Sequence, residues 1–558
     1  MDNKKTRNNL LRVLFIVGLL AFGVFIFFRP IISSGFRYSQ QDTGDSVLNN
    51  LFLEHSFQVV FNHSYLGTAW SPLFFYPQKN ILAYSDNLWG SAPVYWLARA
   101  FSAPGTAFQI WMIIVAVLNF LAFYLLARSL KINTWFSGFG SFFFAFCLPR
   151  LGQVGHQQLL PQFYSALALF FLFKFMESRK LKHFLFFEAC VYLQVLAGIY
   201  LGWFLMLSIS LLILVSAFFY KDKFSLRSFL NYRILISVFA FFAVLAITLF
   251  PYYSAQKQIG SRSYDEVKTL IPSVYSYINI SSSSVFYNLY PAGIKTVTED
   301  LPIKYENYLS LGFFICLLLL VSVVGFFFIR KRSPDKPPWP PSFVIGLTLF
   351  AIVTLMSLRL PFTDYSFWVN IYNFIPGAGA IRVVARIWTI SYLFLFLAIM
   401  GLASAAYSRS SSKAFKILLV ALGLIACLEQ IDPKPRYFDL VKEGAIQARI
   451  EQAVSGVMEK NKIDAFYLRW GENQFFFDYE LKAAWASVHL NIPTIDGYTG
   501  NLPVGYKSLF EPLSDRDISD WLRLKGKPSL SQRILVLDSS VDGGIFTIDK
   551  TTILSLPF

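Results

Sequence analysis

The sequence predicts an α-helical polytopic membrane protein with about eleven spans, followed by a small C-terminal α/β extracytoplasmic domain. Three observations carry this expectation. Hydrophobic residues make up 55% of the 558 positions and charged residues only 15%, against roughly 25% charged in soluble domains. The apolar residues gather in windows of the ~20 residues that a membrane-crossing helix needs. Between those windows the basic residues recur in every second loop, as the positive-inside rule requires.

The windows run, in order, over 10–28, 104–128, 134–149, 159–177, 182–198, 199–219, 232–252, 306–330, 341–358, 385–406 and 413–429. The first reads as a retained anchor, because no clean small-residue cleavage site follows its long apolar core. Lys4, Lys5 and Arg7 precede it, and Arg128 and Lys131 follow the second. Lys174, Arg179, Lys180 and Lys182 surround the fourth-to-fifth turn, and Lys221, Lys223, Arg227 and Arg233 lie before the seventh window. Arg330, Lys331, Arg332 and Lys336 follow the eighth; Arg409, Lys413 and Lys416 follow the tenth. The expected placement is a multi-pass protein of the cytoplasmic membrane, with its N-terminus cytoplasmic and its C-terminus extracytoplasmic.

The net charge of +16 does not imply a nucleic-acid partner, because the Lys and Arg sit in short clusters between apolar runs. Cys147, Cys190, Cys316 and Cys427 all fall in apolar stretches without Cys-x-x-Cys spacing, so they read as structural thiols. Within the spans, Glu188 is expected to be paired or to face the bundle interior, and Asn119 and Gln194 to bond between helices.

The division expected is a membrane domain over 1–430, with outer loops at 29–103 and 253–305, and an extracytoplasmic α/β domain over 431–558. The linker Asp432-Pro433-Lys434-Pro435 introduces the latter. A helix-like run near 437–460 and strand-like pieces at 464–469, 533–537 and 544–548 predict its elements.

Candidate chemistry lies on the outer side. Asp42, Asp45, Glu54 and Asp86, with His55 and His63, cluster in the first loop. A carboxylate there suits removal of a proton from an attacking hydroxyl, although exposed loops also carry Asp and Glu for solubility. His156 lies in the short turn Gly155-His156-Gln157-Gln158. Arg382 and Arg386, four residues apart, are expected on one helical face, where paired guanidinium groups bind a phosphate; snorkelling interfacial arginines have the same pattern. No His-Glu-x-x-His element and no Gly-rich loop ending in Lys-Ser/Thr occurs, which argues against a zinc enzyme and a nucleotide-driven pump.

Several of these segments together resemble the GT-C superfamily of membrane glycosyltransferases, in a bacterial branch of polytopic proteins. In the first loop they are Gly44-Asp45-Ser46-Val47-Leu48-Asn49, Phe75-Tyr76-Pro77-Gln78-Lys79-Asn80 and Leu82-Ala83-Tyr84-Ser85-Asp86. Farther on come Pro149-Arg150 with Gly155–Leu160, Arg262-Ser263 with Glu266, and Ile375-Pro376-Gly377 with Arg382-Val383 and Ala385-Arg386. Asp496-Gly497-Tyr498-Thr499-Gly500 with Pro503 and Tyr506 completes the pattern.

The resemblance implies an inverting transferase with a polyprenyl-phosphate-linked sugar as donor and a glycan, lipid or protein acceptor. It implies Asp45 as the base, with Asp42 the alternative. Arg382, Arg386 and His156 would meet the donor phosphate, and Tyr76, Asp86, Gln157, Glu266 and Tyr498 the substrates. The chain departs from the pattern after Gly44-Asp45, where Asn50-Leu51-Phe52 replaces the usual aromatic, and it lacks the contiguous acidic pair of protein O-mannosyltransferases. No cofactor follows from the sequence; a divalent metal is left open, with no ligand set assigned. The competing expectation is a non-enzymatic lipid or solute transporter whose outer domain binds a partner; broken midplane helices and inverted repeats would mark it.

Overall fold

The computed structural model describes residues 2–219, 229–281, 284–299, 301, 303–333, 335–471, 476–507, 511–526, 532–542 and 545–556. Lys221, Lys223 and Arg227 of the basic loop before the seventh window lie outside the described residues.

Among the described residues, seven helical stretches are long and apolar enough to cross a membrane: Asn9–Phe27, Pro104–Ser129, Gln157–Ser178, Ile199–Phe218, Tyr232–Ile259, Phe313–Arg332 and Val384–Arg409, the third being a 3-10 turn, a short break and the α-helix Phe163–Ser178. The other four windows also fall on helices, but shorter ones: Thr134–Phe146, Leu181–Ala197, Pro341–Ser357 and Lys413–Glu429. The chain is a membrane protein by these helices. The helix expected from residue 306 begins only at Phe313; residues Lys304–Asn307 form a separate turn before it.

The chain divides into two compact units. The first comprises residues 1–32, 112–245 and 261–435. At its centre runs Trp388–Arg409, buried along its apolar length and packed against Pro341–Ser357, Phe313–Arg332 and Thr134–Phe146. Such contacts need small residues where backbones meet. A Cβ at Gly346 would lie 2.6 Å from the Phe394 carbonyl oxygen. Where the backbone breaks around Leu160–Gln162, side chains supply the missing partners, as irregular backbone among membrane helices requires. Asn119 Nδ2 donates to the Leu160 carbonyl (2.7 Å), Gln194 Nε2 donates to that of Pro161 (2.7 Å), and the Gln162 amide donates to Asn119 Oδ1 (3.0 Å). Glu188 is buried, as an ionisable residue within a span should be. The carboxylate of Glu429 accepts from the amides of Phe313 (2.7 Å) and Phe314 (2.9 Å), satisfying two donors that a helix N-terminus leaves open.

The second unit comprises residues 33–111, 246–260 and 436–558. Strand Ala465–Arg469 pairs in parallel with Gln532–Asp542, which pairs antiparallel with Ile545–Leu556. Helices Leu440–Met458 and Phe476–Leu490 flank this sheet, and Ile450, Val454, Phe466, Leu468, Leu535 and Leu537 form its apolar core.

The last segment of the second unit begins at residue 436, near the boundary expected at 430, but the unit also takes in residues 33–111 and 246–260. The first loop is built into the C-terminal α/β fold by backbone pairing: Tyr38–Gln40 runs antiparallel to Tyr437–Asp439, closed by the Arg37–Asp439 ion pair at 2.6 Å. The Thr494 amide donates to the Leu73 carbonyl (2.8 Å), the Tyr76 amide to that of Thr494 (2.9 Å), and the Phe75 amide to that of Asp496 (2.8 Å). Gly497 is required in this join, because a Cβ there would sit 2.5 Å from the Phe75 ring. Polar backbone at a sheet margin must find partners somewhere, and here the first loop supplies them.

Candidate functional site

Each unit carries its own group of candidate residues. In the second unit, Asp45 opens helix Asp45–Phe61, where a carboxylate is favoured by the helix dipole. The Tyr498 hydroxyl lies 3.4 Å from Asp45 Oδ1, in donating position. Asp42, the alternative, has a turn-forming contact: its Oδ1 accepts from the Gly44 amide at 3.0 Å, as an Asx turn does. Tyr76 takes a hydrogen bond from Gln532 Nε2 at 3.1 Å, and burial raises its hydroxyl pKa. Asp86 is half-buried.

Glu54 and His55 resolve into structural roles. Glu54 is fully buried; its Oε2 accepts from Tyr95 Oη (2.6 Å) and Arg99 Nε (2.8 Å), and its Oε1 from Gln58 Nε2 (2.9 Å). His55 Nε2 lies 3.0 Å from the Thr68 carbonyl, an acceptor only, so Nε2 carries the proton and Nδ1 accepts from Tyr65 Oη at 2.9 Å. Burial pushes the imidazole pKa down to about 4, keeping it neutral. Among the described residues, no three His, Cys, Asp or Glu lie together as a metal-ligand set.

The motif residue Asp496 has a partner, Glu480, that no local sequence pattern marks. Asp496 and Glu480 are both buried. Asp496 Oδ2 accepts from the Leu468 amide (2.9 Å) and Thr494 Oγ1 (2.5 Å), and Glu480 Oε2 accepts from the Gly497 amide (2.6 Å). Burial raises the Asp496 carboxyl to about 7. Glu480 is raised well above the carboxylate range, by burial and then by the Asp496 charge. The pair anchors the loop that carries Tyr498.

In the first unit, Arg382 and Arg386 do not share a helical face. Ile381 is extended, Val383 is non-helical, and Val384–Ile387 is a tight 3-10 turn before Trp388. Each guanidinium therefore reaches its own carboxylate. Arg386 meets Glu306, which is buried, at 2.5 Å. His156 Nε2 lies 3.3 Å from the same Glu306, and Gln153 Nε2 donates to it at 3.0 Å. Burial alone would raise the Glu306 pKa, but Arg386 and His156 outweigh it and hold the carboxyl at about 2. Arg382 lies 3.3 Å from Glu266, which Arg262 also holds at 2.6 Å.

In each cluster, then, two basic side chains share one carboxylate. Tyr200 joins the two clusters: its hydroxyl accepts from the Arg382 amide at 2.9 Å, and Arg386 lies 5.9 Å from its ring centroid. Arg382 is accessible at 46% side-chain exposure, and Arg386 is enclosed at 12%. Gln157 is buried in its own short turn. Arg150 belongs to the Pro149-Arg150 motif. It is buried, donating to the Phe144 carbonyl (3.0 Å) and Gln162 Oε1 (2.6 Å). The sequence signal for Glu306 was a lone acidic residue at the edge of an apolar window.

These features define a polytopic membrane protein with two basic clusters and an α/β fold into which its first loop is woven. The family described as a domain of unknown function, DUF6311, matches residues 15–429, and the chain belongs to that family. No curated protein matches. Among solved structures, the chain is similar to the Archaeoglobus fulgidus oligosaccharyltransferase in complex with Zn and sulfate, at 13% identity and a TM-score of 0.49, covering 94% of this chain and 68% of that one. The apo form of the same protein is similar at 13% identity and a TM-score of 0.44, covering 87% of this chain and 64% of that one. Both likenesses are too distant to carry chemistry to this chain.

Proposed function

We propose that this protein is an inverting glycosyltransferase of the GT-C type, which moves a sugar from a polyprenyl-phosphate donor to an acceptor at the outer face of the cytoplasmic membrane. The observation that carries the reading is the gathering of Arg262, Arg382, Arg386 and His156 around Glu266 and Glu306, beside Tyr200. Guanidinium groups suit phosphate oxygens, and fixed cations aimed at a departing phosphate are an effective means of lowering such a barrier. Arg382, the accessible member, would meet the phosphate, while Glu306 fixes Arg386 and His156 in orientation. Asp45 would take the acceptor proton as the acceptor oxygen bonds to the anomeric carbon. The bond from that carbon to the phosphate oxygen then breaks, leaving polyprenyl phosphate and an inverted glycoside. Tyr498 would orient the Asp45 carboxylate and Gln157, Tyr76, Asp86 and Glu266 would border the substrates.

The test is transfer from a purified, radiolabelled polyprenyl-phosphate sugar by protein in nanodiscs. Asp45→Asn keeps the shape and removes the base, and should lower turnover by roughly 10²–10⁴ with folding unchanged. Full activity in both Asp45→Asn and Asp42→Asn would end the first-loop mechanism.

A further inference from the structure

A cavity of about 400 Å³ opens within the second unit, in the size range of small-molecule sites. Its walls come from both ends of the chain: Val47 follows Asp45 on helix Asp45–Phe61, Leu481 and Trp485 lie on helix Phe476–Leu490, and Phe108 lies near the start of helix Pro104–Ser129. These are apolar, and the last belongs to a helix long and apolar enough to cross a membrane. One wall of the cavity is thus the first turn of a candidate membrane span.

Polar side chains of both signs line it as well, Arg37, Gln447 and His489 among them. Lys482 and Glu443, paired at 2.9 Å, line the cavity together. Asn50 also lines it; its side chain is 9% exposed and its Oδ1 has no hydrogen-bond partner. A buried acceptor left unmatched costs free energy until a donor reaches it. Gly444 borders the space, and a Cβ there would meet nothing within 4 Å.

We infer that this cavity binds one zwitterionic phospholipid whose head group carries a primary ammonium. An acyl chain lies along Val47, Phe108, Leu481 and Trp485. The head-group phosphate meets Lys482, and its ammonium donates to Glu443 and Asn50. A lipid with a neutral glycerol head would leave Glu443 without a cation to replace the one it shares. The inference is independent of glycosyl transfer, since binding is read without turnover.

The experiment uses the full chain in nanodiscs containing phosphatidylethanolamine or phosphatidylglycerol with a diazirine in one acyl chain. After irradiation, cross-linked peptides are located by mass spectrometry. The ethanolamine lipid should label peptides containing Val47, Phe108 or Trp485 about tenfold more than the glycerol lipid, the loss expected when a charge-assisted hydrogen bond is missing. Gly444→Trp, which fills the opening, should abolish that label. Glu443→Gln, which keeps the shape, should erase the preference, and native mass spectrometry of the same samples should show one retained ethanolamine lipid in the wild-type protein. Equal labelling by both lipids, labelling unchanged by Gly444→Trp in folded protein, or no retained lipid would overturn the inference.

Discussion

The hydroxyl of Tyr498 reaches to 3.4 Å from the carboxylate of Asp45 across 453 residues of sequence. The contact is long for an O–H···O bond, so it orients Asp45 more than it stabilises it. Tyr498→Phe should lower transfer only a few-fold, roughly two- to tenfold for a neutral donor, against the far larger loss in Asp45→Asn. A Tyr498→Phe loss as large as that of Asp45→Asn would make the tyrosine the principal group.

Glu306 neutralises a buried basic cluster. Glu306→Gln leaves Arg386 and His156 without their shared carboxylate and should destabilise the protein by about 3–5 kcal/mol, read by thermal unfolding in detergent. Because the folded-state pKa is depressed from 4.5 to about 2, the stability Glu306 contributes is present above pH 4.5. It is lost as pH falls through about 2. A variant as stable as wild type at neutral pH would contradict this role.

The Asp496–Glu480 pair predicts the opposite pH dependence. Asp496 is raised from 3.8 to about 7, so its favourable state is protonated. Its contribution is fully present below pH 3.8 and lost as pH rises through about 7. Tyr467 and Tyr506 also face the pair, and Arg469 lies near Tyr467. Asp496→Asn should flatten the decline in melting temperature between pH 5 and pH 8 and make the variant the more stable protein at pH 8. An unchanged slope would exclude Asp496 as its origin.

Topology is open to direct labelling. A cysteine replacing Lys223 should react with an impermeant maleimide only from the cytoplasmic side, and one replacing Tyr275, which is exposed, only from outside. Background from the native Cys316, the exposed member of the four cysteines, is removed by Cys316→Ser. Reaction of both positions from one side would reverse the orientation.

Each of the eleven hydropathy windows falls on a helix, and among the described residues seven of these are long and apolar enough to cross a membrane, because bilayer burial is written residue by residue in apolar runs. It did not give their lengths: Thr134–Phe146 has only 13 residues. The strand-like pieces near 464–469 and 533–537 became Ala465–Arg469 and part of Gln532–Asp542, since β-branched and apolar runs are local signals. What stayed hidden depends on distant partners. Four-residue spacing places Arg382 and Arg386 on one face only if the intervening backbone is helical, and it is not. Glu306 was recognisable as acidic but not as the partner of a residue 80 positions away. The union of the first loop with the C-terminal fold rests on backbone amides and carbonyls, which every residue possesses and no side-chain pattern marks.

That union sets an order on biosynthesis. Arg37 and Asp439 are 402 residues apart, so the first loop waits roughly 20–80 s for its partner strand at about 5–20 residues per second of translation. Through that interval the amide of Tyr76 and the carbonyl of Leu73 lack the Thr494 groups that finally pair with them. Nascent chains halted before residue 436 would keep this edge unpaired.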